Sequence, residues 1–547
     1  MSPNLVPSQR ERRQLQGQQP WVWRIGRAPC TGTSGDNANL TFDLHNSMNF
    51  AMVFACILTF FRTARAGFSK LRPSVIILIS LITSVVLFLQ LRHDGYASFT
   101  VLKPQHRAAL AARNSIMTAA QEYIDHELPI SEFGEMGYRT QKLTDWFEAS
   151  SQLRRDLATK ESEELTARIA QAAASTFPFL RKPGASHETL SFLDLWERAK
   201  PGSQGIVIPS GKKHLRYTFH LIANIRLVLK SKLAIQVVYA GGDDLPLGER
   251  DLLTSYFEDV ETLDILEVFN DSGLDLRNGG WAIKPFALLA SKFEKALLVD
   301  ADSVFLQKPE TILEAHTGFV ERGALLFHDR LLWKNVFIDR AKWWRKEMGD
   351  RTPSDTLLKS KVWSENYAEE GDSGVVAMDK SRVPVFMALF HICWQNSQQV
   401  RDEITYRMTY GDKESWWFGL ELCAVPFVFE EHYASVLGQA DRRNNRNMVC
   451  SFTIAHLDAK SKLLWYNGSL LKNKLVNHTD FLVPDVWSTD GEWLKGATKL
   501  DLSCMAGSSI QKLEYGERSV ILESIKFAEQ TDAFALSKGF DLIAASS

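Results

Sequence analysis

Between residues 205 and 306 the chain alternates short β-rich runs with helix-like ones, and this restricts the fold more than any other feature. GIVIPSG (205–211) precedes HLRYTFHLIANIRLVLKS, AIQVVYAGG (234–242) precedes LDILEVF (263–269), and WAIKPFALLASKF leads into KALLVDADSVFL (295–306). Near-continuous apolar strands separated by helices predict a parallel-rich α/β sheet covered on both faces. Further strand-like pieces follow at ALLFHD (324–329), GVVAMD (374–379), VPFVFE (425–430) and SFTIAHL (451–457). A chain of 547 residues, 45% of them hydrophobic, has room for a large core of this kind plus accessory segments. Its 63 basic residues nearly balance its 65 acidic ones, so no bulk field recruits nucleic acid.

The balanced total conceals a basic start. Residues 1–73 hold nine Arg or Lys against three acids, directly ahead of the uncharged run SVIILISLITSVVLFLQL at 74–91. At about 1.5 Å per residue this run nearly covers a hydrocarbon layer of about 30 Å, and no Ala-x-Ala site closes it as in a signal peptide. The run is therefore expected to be a single-pass signal anchor. The basic flank places 1–73 in the cytosol and everything after the anchor in the lumen, the type II orientation. The apolar stretch 50–61 is too short to span alone, and the Gln-rich first fifty residues carry no pattern that calls for structure. Residues 92–195, with helix formers over 104–176, are expected to form a helical stem ahead of a catalytic domain at 196–480 and an extension at 481–547.

The chemical signal is Asp300-Ala301-Asp302 at the end of the apolar strand ALLV. Residues i and i+2 of a strand face the same way, so both carboxylates can converge where open α/β sheets bind ligands. Two hard oxygen donors suit Mg²⁺ or Mn²⁺ carrying a diphosphate. Two enzyme types use this pattern. In haloacid-dehalogenase-type phosphatases the first Asp, here Asp300, is the nucleophile, but its strand opens the domain. In nucleotide-sugar transferases a nucleotide-binding half comes first, as GIVIPSG and AIQVVYAG do here. A third reading is a membrane-tethered glycan-binding scaffold, against which the intact acidic pair argues.

The strings GGWAIKPFALLASKFEKALLVDADSVFLQKPE, GDSGVVAMDKSR, GDKESWWFGLEL and SFTIAHLDAKSKLLWYNG, in that order over roughly residues 200–475, resemble the fungal Golgi α-1,3-mannosyltransferase family. The resemblance implies a GT-A fold, a Rossmann-like mixed α/β sheet, in a type II Golgi membrane enzyme. It also implies GDP-mannose as donor, manganese or another divalent cation, a mannose-terminated glycan as acceptor, and retention of configuration. A transferase using another sugar nucleotide is the nearest alternative.

On this resemblance Asp300, Asp302 and His456 hold the metal, and Lys284, Ser373, Gly374 and Lys462 join the two carboxylates in binding the donor. Asp372, Asp412 and Glu414 are candidates for orienting the acceptor hydroxyl or stabilising the sugar cation, and Trp416 and Trp417 for holding the acceptor. Each has a plainer alternative: a surface charge for Lys284 or Lys462, a core histidine for His456, a turn for Asp372–Gly374, a solvated loop for Asp412 and Glu414. Trp281 either stacks on a sugar or fills core, and Gly241-Gly242-Asp243 resembles a turn at a nucleotide pocket. No decisive nucleophile is visible, which favours front-face retention over a covalent glycosyl-enzyme. Asn270, Asn467 and Asn477 lie in luminal sequons, whereas Asn39 lies on the cytosolic side. The luminal cysteines Cys393, Cys423, Cys450 and Cys504 are even in number and admit one or two disulfides.

Overall fold

The computed structural model describes residues 104–181, 191–441, 447–498 and 500–545. The expected tail, the anchor at 74–91 and Asn39 lie outside the described residues. Among those described, no helix is long and apolar enough to cross a membrane.

In chain order the first strands are β1 (Lys200–Pro209), β2 (Ala234–Tyr239), β3 (Val260–Asp264), β4 (Phe293–Val299), β5 (Ser303–Phe305), β6 (Ala324–His328), β7 (Gly371–Asp379) and β8 (Val428–Phe429). Seven of them form the central sheet in the order β3-β2-β1-β4-β7-β6-β8. β1 pairs in parallel with β2 and β4, β2 with β3, and β6 with β8, while β7 runs antiparallel to both β4 and β6. The sheet is thus mixed α/β, parallel except for β7.

The apolar runs are continuous because both faces are covered. Along β4, Ala296 and Leu298 enter one core while Leu297 and Val299 enter the other, as the two-residue side-chain period requires. The first core contains Phe386 and Leu389 of the helix Val383–Gln395 and Trp416 and Phe418 of the helix Lys413–Leu422. It also takes in Phe133, Leu143, Trp146 and Leu165 from the helices at 133–153 and 159–176. The helices expected to form a stem are therefore part of the main body, which runs as one compact unit from Leu102 to the end of the chain.

Beyond the central sheet come β9 (Val436–Asp441), β10 (Met448–Ser451), β11 (Ile454–Leu457), β12 (Leu463–Asn467), β13 (Leu471–Asn473) and β14 (Asn477–Phe481). The last four are β15 (Val486–Ser488), β16 (Glu492–Leu494), β17 (Ser503–Ala506) and β18 (Gln511–Lys512). A six-stranded sheet, β16-β17-β10-β9-β15-β18, joins strands from both sides of residue 480, so the expected boundary there divides a sheet. Cys450 and Cys504 sit opposite each other on β10 and β17 and form a disulfide, while Cys393 and Cys423 are free and buried.

The C-terminal helix Tyr515–Ser537 closes the second core, and a buried ion cluster holds it. Arg216, 1% exposed, places its Nη2 2.7 Å from Asp532, and His220 Nε2 lies 3.0 Å from the same carboxylate. Arg216 also donates to the carbonyl of His478 at 2.6 Å. Burial alone would raise the Asp532 pKa, but hydrogen bonds and charges from His220 and Arg216 pull it below the ordinary range. Burial lowers that of His220. Asp532→Ala strands a buried guanidinium and is expected to cost about 3–5 kcal/mol, read from the denaturant midpoint. Both folded-state pKa values lie below their unfolded ones, so the unfolded chain takes up each proton first. The stability from His220 should decline as pH falls below about 6.5 and that from Asp532 below about 3.8; equal losses in wild type and Asp532→Ala at acid pH would contradict this.

Candidate active site

The site is built where β4 ends and β7 begins. Their antiparallel register reaches Val299–Val375, and one step further the Asp300 amide donates to the Gly374 carbonyl at 2.8 Å. The Asp302 carbonyl accepts from the amides of Gly468 (3.3 Å) and Ser469 (2.8 Å), which tie the acidic pair to the end of β12. Gly374 is needed for this close approach, because a Cβ there would come within 2.9 Å of Asn467 Nδ2 and 3.0 Å of the Trp465 ring.

Lys284 binds the cluster together. It stands in the first turn of the helix Ile283–Ala290, where Pro285 is tolerated because first-turn amides have no intrahelical partner. At its other end this helix is clasped by Lys380, just after β7, whose ammonium donates to the carbonyls of Leu288 (2.9 Å) and Ser291 (2.7 Å). Lys284 Nζ lies 2.7 Å from Asp300 Oδ1, 3.1 Å from Ser373 Oγ, 3.2 Å from the Ser373 carbonyl and 3.8 Å from Asp412 Oδ1. Burial alone would lower its pKa, but Asp300 and Asp412 raise it. Burial pushes the Asp300 carboxyl up against the pull of Lys284, and the neighbouring charge of Asp302 adds to the rise. The expected partners Lys284, Asp300, Ser373, Gly374 and Asp412 are therefore brought together.

Asp302 meets a lysine that the sequence reading did not single out, Lys474. Burial alone would raise the Asp302 pKa, but the charge and hydrogen bond of Lys474 lower it. Asp372 accepts from the Gly374 amide at 2.8 Å and meets His456 Nε2 at 3.1 Å. Burial opposes its ionisation, but His456 holds its carboxyl well below the usual range. The His456 ring stacks on Trp465 with centroids 4.1 Å apart, and its Nδ1 is buried without a partner.

Several expectations require correction. Among the described residues no three His, Cys, Asp or Glu side chains converge to hold a metal ion. His456 is turned to Asp372 rather than standing as a third donor beside Asp300 and Asp302. Lys462 is exposed and pairs with Glu514, away from the acidic pair. Trp416 and Trp417 are each 1% exposed and belong to the core, so they offer no face to an acceptor. The Trp416 indole donates to Asp412 at 2.9 Å and that of Trp417 to Glu414. Glu414 also accepts from the amides of Glu370 (3.0 Å) and Gly371 (3.1 Å); it is fully buried, and burial pushes its carboxyl up to about 8. It braces the start of β7 and faces no substrate. Of the sequons, half-buried Asn270 caps a local turn and half-buried Asn477 opens β14, whereas the Asn467 amide lies against Gly374, where a glycan would fill the site.

Trp281, in contrast, is 49% exposed, as is Tyr410, and their ring centroids are 5.4 Å apart. Gly411 (φ +67°) permits this pairing, since a Cβ there would come 2.7 Å from the indole. The two rings form a shelf three residues from Lys284 and two from Asp412. Lys413, within the quoted string GDKESWW but unassigned, pairs with Asp329 at the end of β6, and Arg330 lies 3.4 Å from the same carboxylate. These groups extend the polar floor on the Asp372 side.

Residues 203–458 match the family described as "Mannosyltransferase putative". This stretch is similar to mannosyltransferases of that family. It contains Lys284, the acidic pair, Asp372, Asp412 and His456. Relatives include "Putative alpha-1,3-mannosyltransferase MNN14" of Candida albicans, 25% identical over 339 residues, covering 53% of this chain and 46% of that protein. Alpha-1,3-mannosyltransferase MNN1 of Saccharomyces cerevisiae is 22% identical over 355 residues, covering 54% and 44% respectively. The chain thus spans about half the length of the curated relatives it matches. Among solved structures, the galactosyltransferase LgtC with donor and acceptor sugar analogs aligns at 14% identity and a TM-score of 0.27, over 43% of this chain and 74% of that one. A likeness that distant adds nothing to the fold described above. Lys474 lies beyond the mannosyltransferase-family stretch.

The corrected assignments separate two variants. Lys462→Ala should change the denaturant midpoint by no more than about 0.5 kcal/mol. Glu414→Gln presents an amide N–H to the Trp417 indole and is expected to cost about 1–3 kcal/mol in the same measurement.

Proposed function

We propose that this protein is a retaining α-1,3-mannosyltransferase of the GT-A fold, transferring mannose from GDP-mannose to a mannose-terminated glycan. The observation that carries this reading is the acidic pair at the end of β4, balanced by Lys284 and Lys474 and facing Asp372–Gly374. That end of a mostly parallel sheet is where α/β folds take their ligands. The family match over 203–458 supplies the sugar, and the named relatives supply the linkage.

The donor set fits a hard divalent cation in kind: two carboxylates in i, i+2 relation at a place where the protein itself supplies ammonium groups. Asp300 and Asp302 would hold it, and when bound it would add positive charge against the departing diphosphate. Lys284, fixed by five oxygens of Asp300, Ser373 and Asp412, keeps Asp300 aimed and contributes further positive charge. Asp372, an anion braced by His456 and the Gly374 amide, suits stabilisation of the oxocarbenium-like sugar. With that carboxylate so engaged, a front-face path in which the leaving phosphate takes the acceptor proton fits better than a covalent intermediate. The Trp281–Tyr410 shelf offers the apolar ring faces that a pyranose acceptor needs.

The phosphatase alternative is less favoured, because three parallel strands precede β4 and both Asp300 oxygens are engaged by Lys284. A type II Golgi location follows from the basic flank and apolar run at 74–91, and the Cys450–Cys504 bridge suits an oxidising lumen.

Full-length enzyme in detergent, given a panel of sugar nucleotides, manganese and an α-mannoside, should turn over GDP-mannose; turnover of a different donor alone would reassign the sugar. Asp302→Asn should lower transfer by about a hundred-fold or more. Trp281→Ala should raise the acceptor KM about three- to ten-fold with the donor KM unchanged, and an unchanged acceptor KM would remove the shelf from the site.

A further inference from the structure

The two lysines that neutralise the acidic pair are held very differently. Lys284 has a side chain only 8% exposed, rises from a helix clasped at its far end by Lys380, and is gripped by Asp300, both oxygens of Ser373 and Asp412. Lys474 stands at the tip of the β13–β14 hairpin. The turn is local: Asn473 accepts the Leu475 amide through its side chain at 2.9 Å and the Val476 amide through its carbonyl at 3.2 Å. Leu475 and Val476 are 52% and 58% exposed, so no core packing pins the tip. The Lys474 side chain is itself 34% exposed. Its side chain is thus more open to solvent than that of Lys284.

We propose that Lys474 is an internal competitor for the cation at Asp302, displaced when metal and donor enter together and then taking a phosphate oxygen of the donor. The inference rests on the reading of Asp300 and Asp302 as cation ligands. A divalent ion approaching Asp302 alone must displace one ammonium and tolerate a second nearby, both repulsive at short range in a partly buried site. A diphosphate arriving with the ion supplies negative charge on which the released ammonium can settle, as a lysine suits phosphate as a compact point charge. Lys474 thereby couples the two ligands: the metal binds weakly until the diphosphate is present, and by reciprocity the diphosphate binds weakly until the metal is present. The hairpin is the carrier, since it brings a residue from outside the family-matched stretch onto the acidic pair.

Manganese binding is measured directly, by the electron paramagnetic resonance signal of free Mn²⁺, on full-length protein with and without GDP. Wild type should bind manganese between about five- and a hundred-fold more tightly with GDP than without it, the usual span of such couplings. Lys474→Gln, and Lys474→Met as a second variant, should tighten manganese binding without GDP by about five-fold or more and reduce the GDP-dependent gain by a similar factor. Asp302→Asn should abolish the tight phase in every background. Unchanged or weaker manganese binding in both Lys474 variants overturns the proposal, as does a GDP-dependent gain that survives intact, or no manganese binding to wild type with GDP. The outcomes are independent of sugar transfer. Wild type that transfers mannose while the Lys474 variants titrate like wild type refutes this inference alone. Failure to turn over GDP-mannose refutes the proposed function while the titrations are still scored.

Discussion

The antiparallel entry of β7 beside β4 is the constraint on which the site depends. If β7 ran parallel like its neighbours, its first residues would lie at the opposite end of the sheet from Asp300. Reversal brings Asp372, Ser373 and Gly374 to the end of β4, and the hydrogen bond from Asp300 to Gly374 fixes the meeting point. Lys284 then becomes necessary: without an embedded cation, Asp300, Asp302, Asp372 and Asp412 would place several carboxylates in a poorly solvated space. The clasp of Lys380 on the Lys284 helix is part of the same design, since that cation follows β7 directly.

Much of the central sheet was legible because its strands are buried on both faces and read as uninterrupted apolar runs. The errors fall where a polar side chain redirects the chain. LDILEVF suggests a strand over 263–269, but β3 stops at Asp264, whose carboxylate takes the amides of Leu266 and Gly241 and bends the backbone into a turn. The helices at 104–176 have the spacing of a freestanding stem, and single-sequence periodicity carries no information about what their apolar faces touch. The short strands after 480 lack the alternation that would separate them from loops.

The acidic pair could be read because its geometry is local. Lys474 could not: it meets a residue 172 positions away and sits in no motif. The tryptophans show the opposite failure. Trp416 and Trp417, beside two acids, have the composition of a sugar site, yet the helix Lys413–Leu422 faces the core and the acids serve as acceptors for their indoles. Trp281, whose core and sugar-stacking readings were left open, is exposed because the left-handed turn at Gly411 and the ring of Tyr410 hold it outside the core.

The clamp between Arg216 and Asp532 has a consequence for how the chain is made. Arg216 follows β1, among the first parts of the sheet to be synthesised, yet its carboxylate partner lies 316 residues further on. Until Asp532 has been translated, the opening βα unit carries a guanidinium with no counter-ion in its interior. That unit therefore stays incomplete until the helix Tyr515–Ser537 has been made and docked, and a variant lacking this helix would leave the guanidinium of Arg216 without its carboxylate.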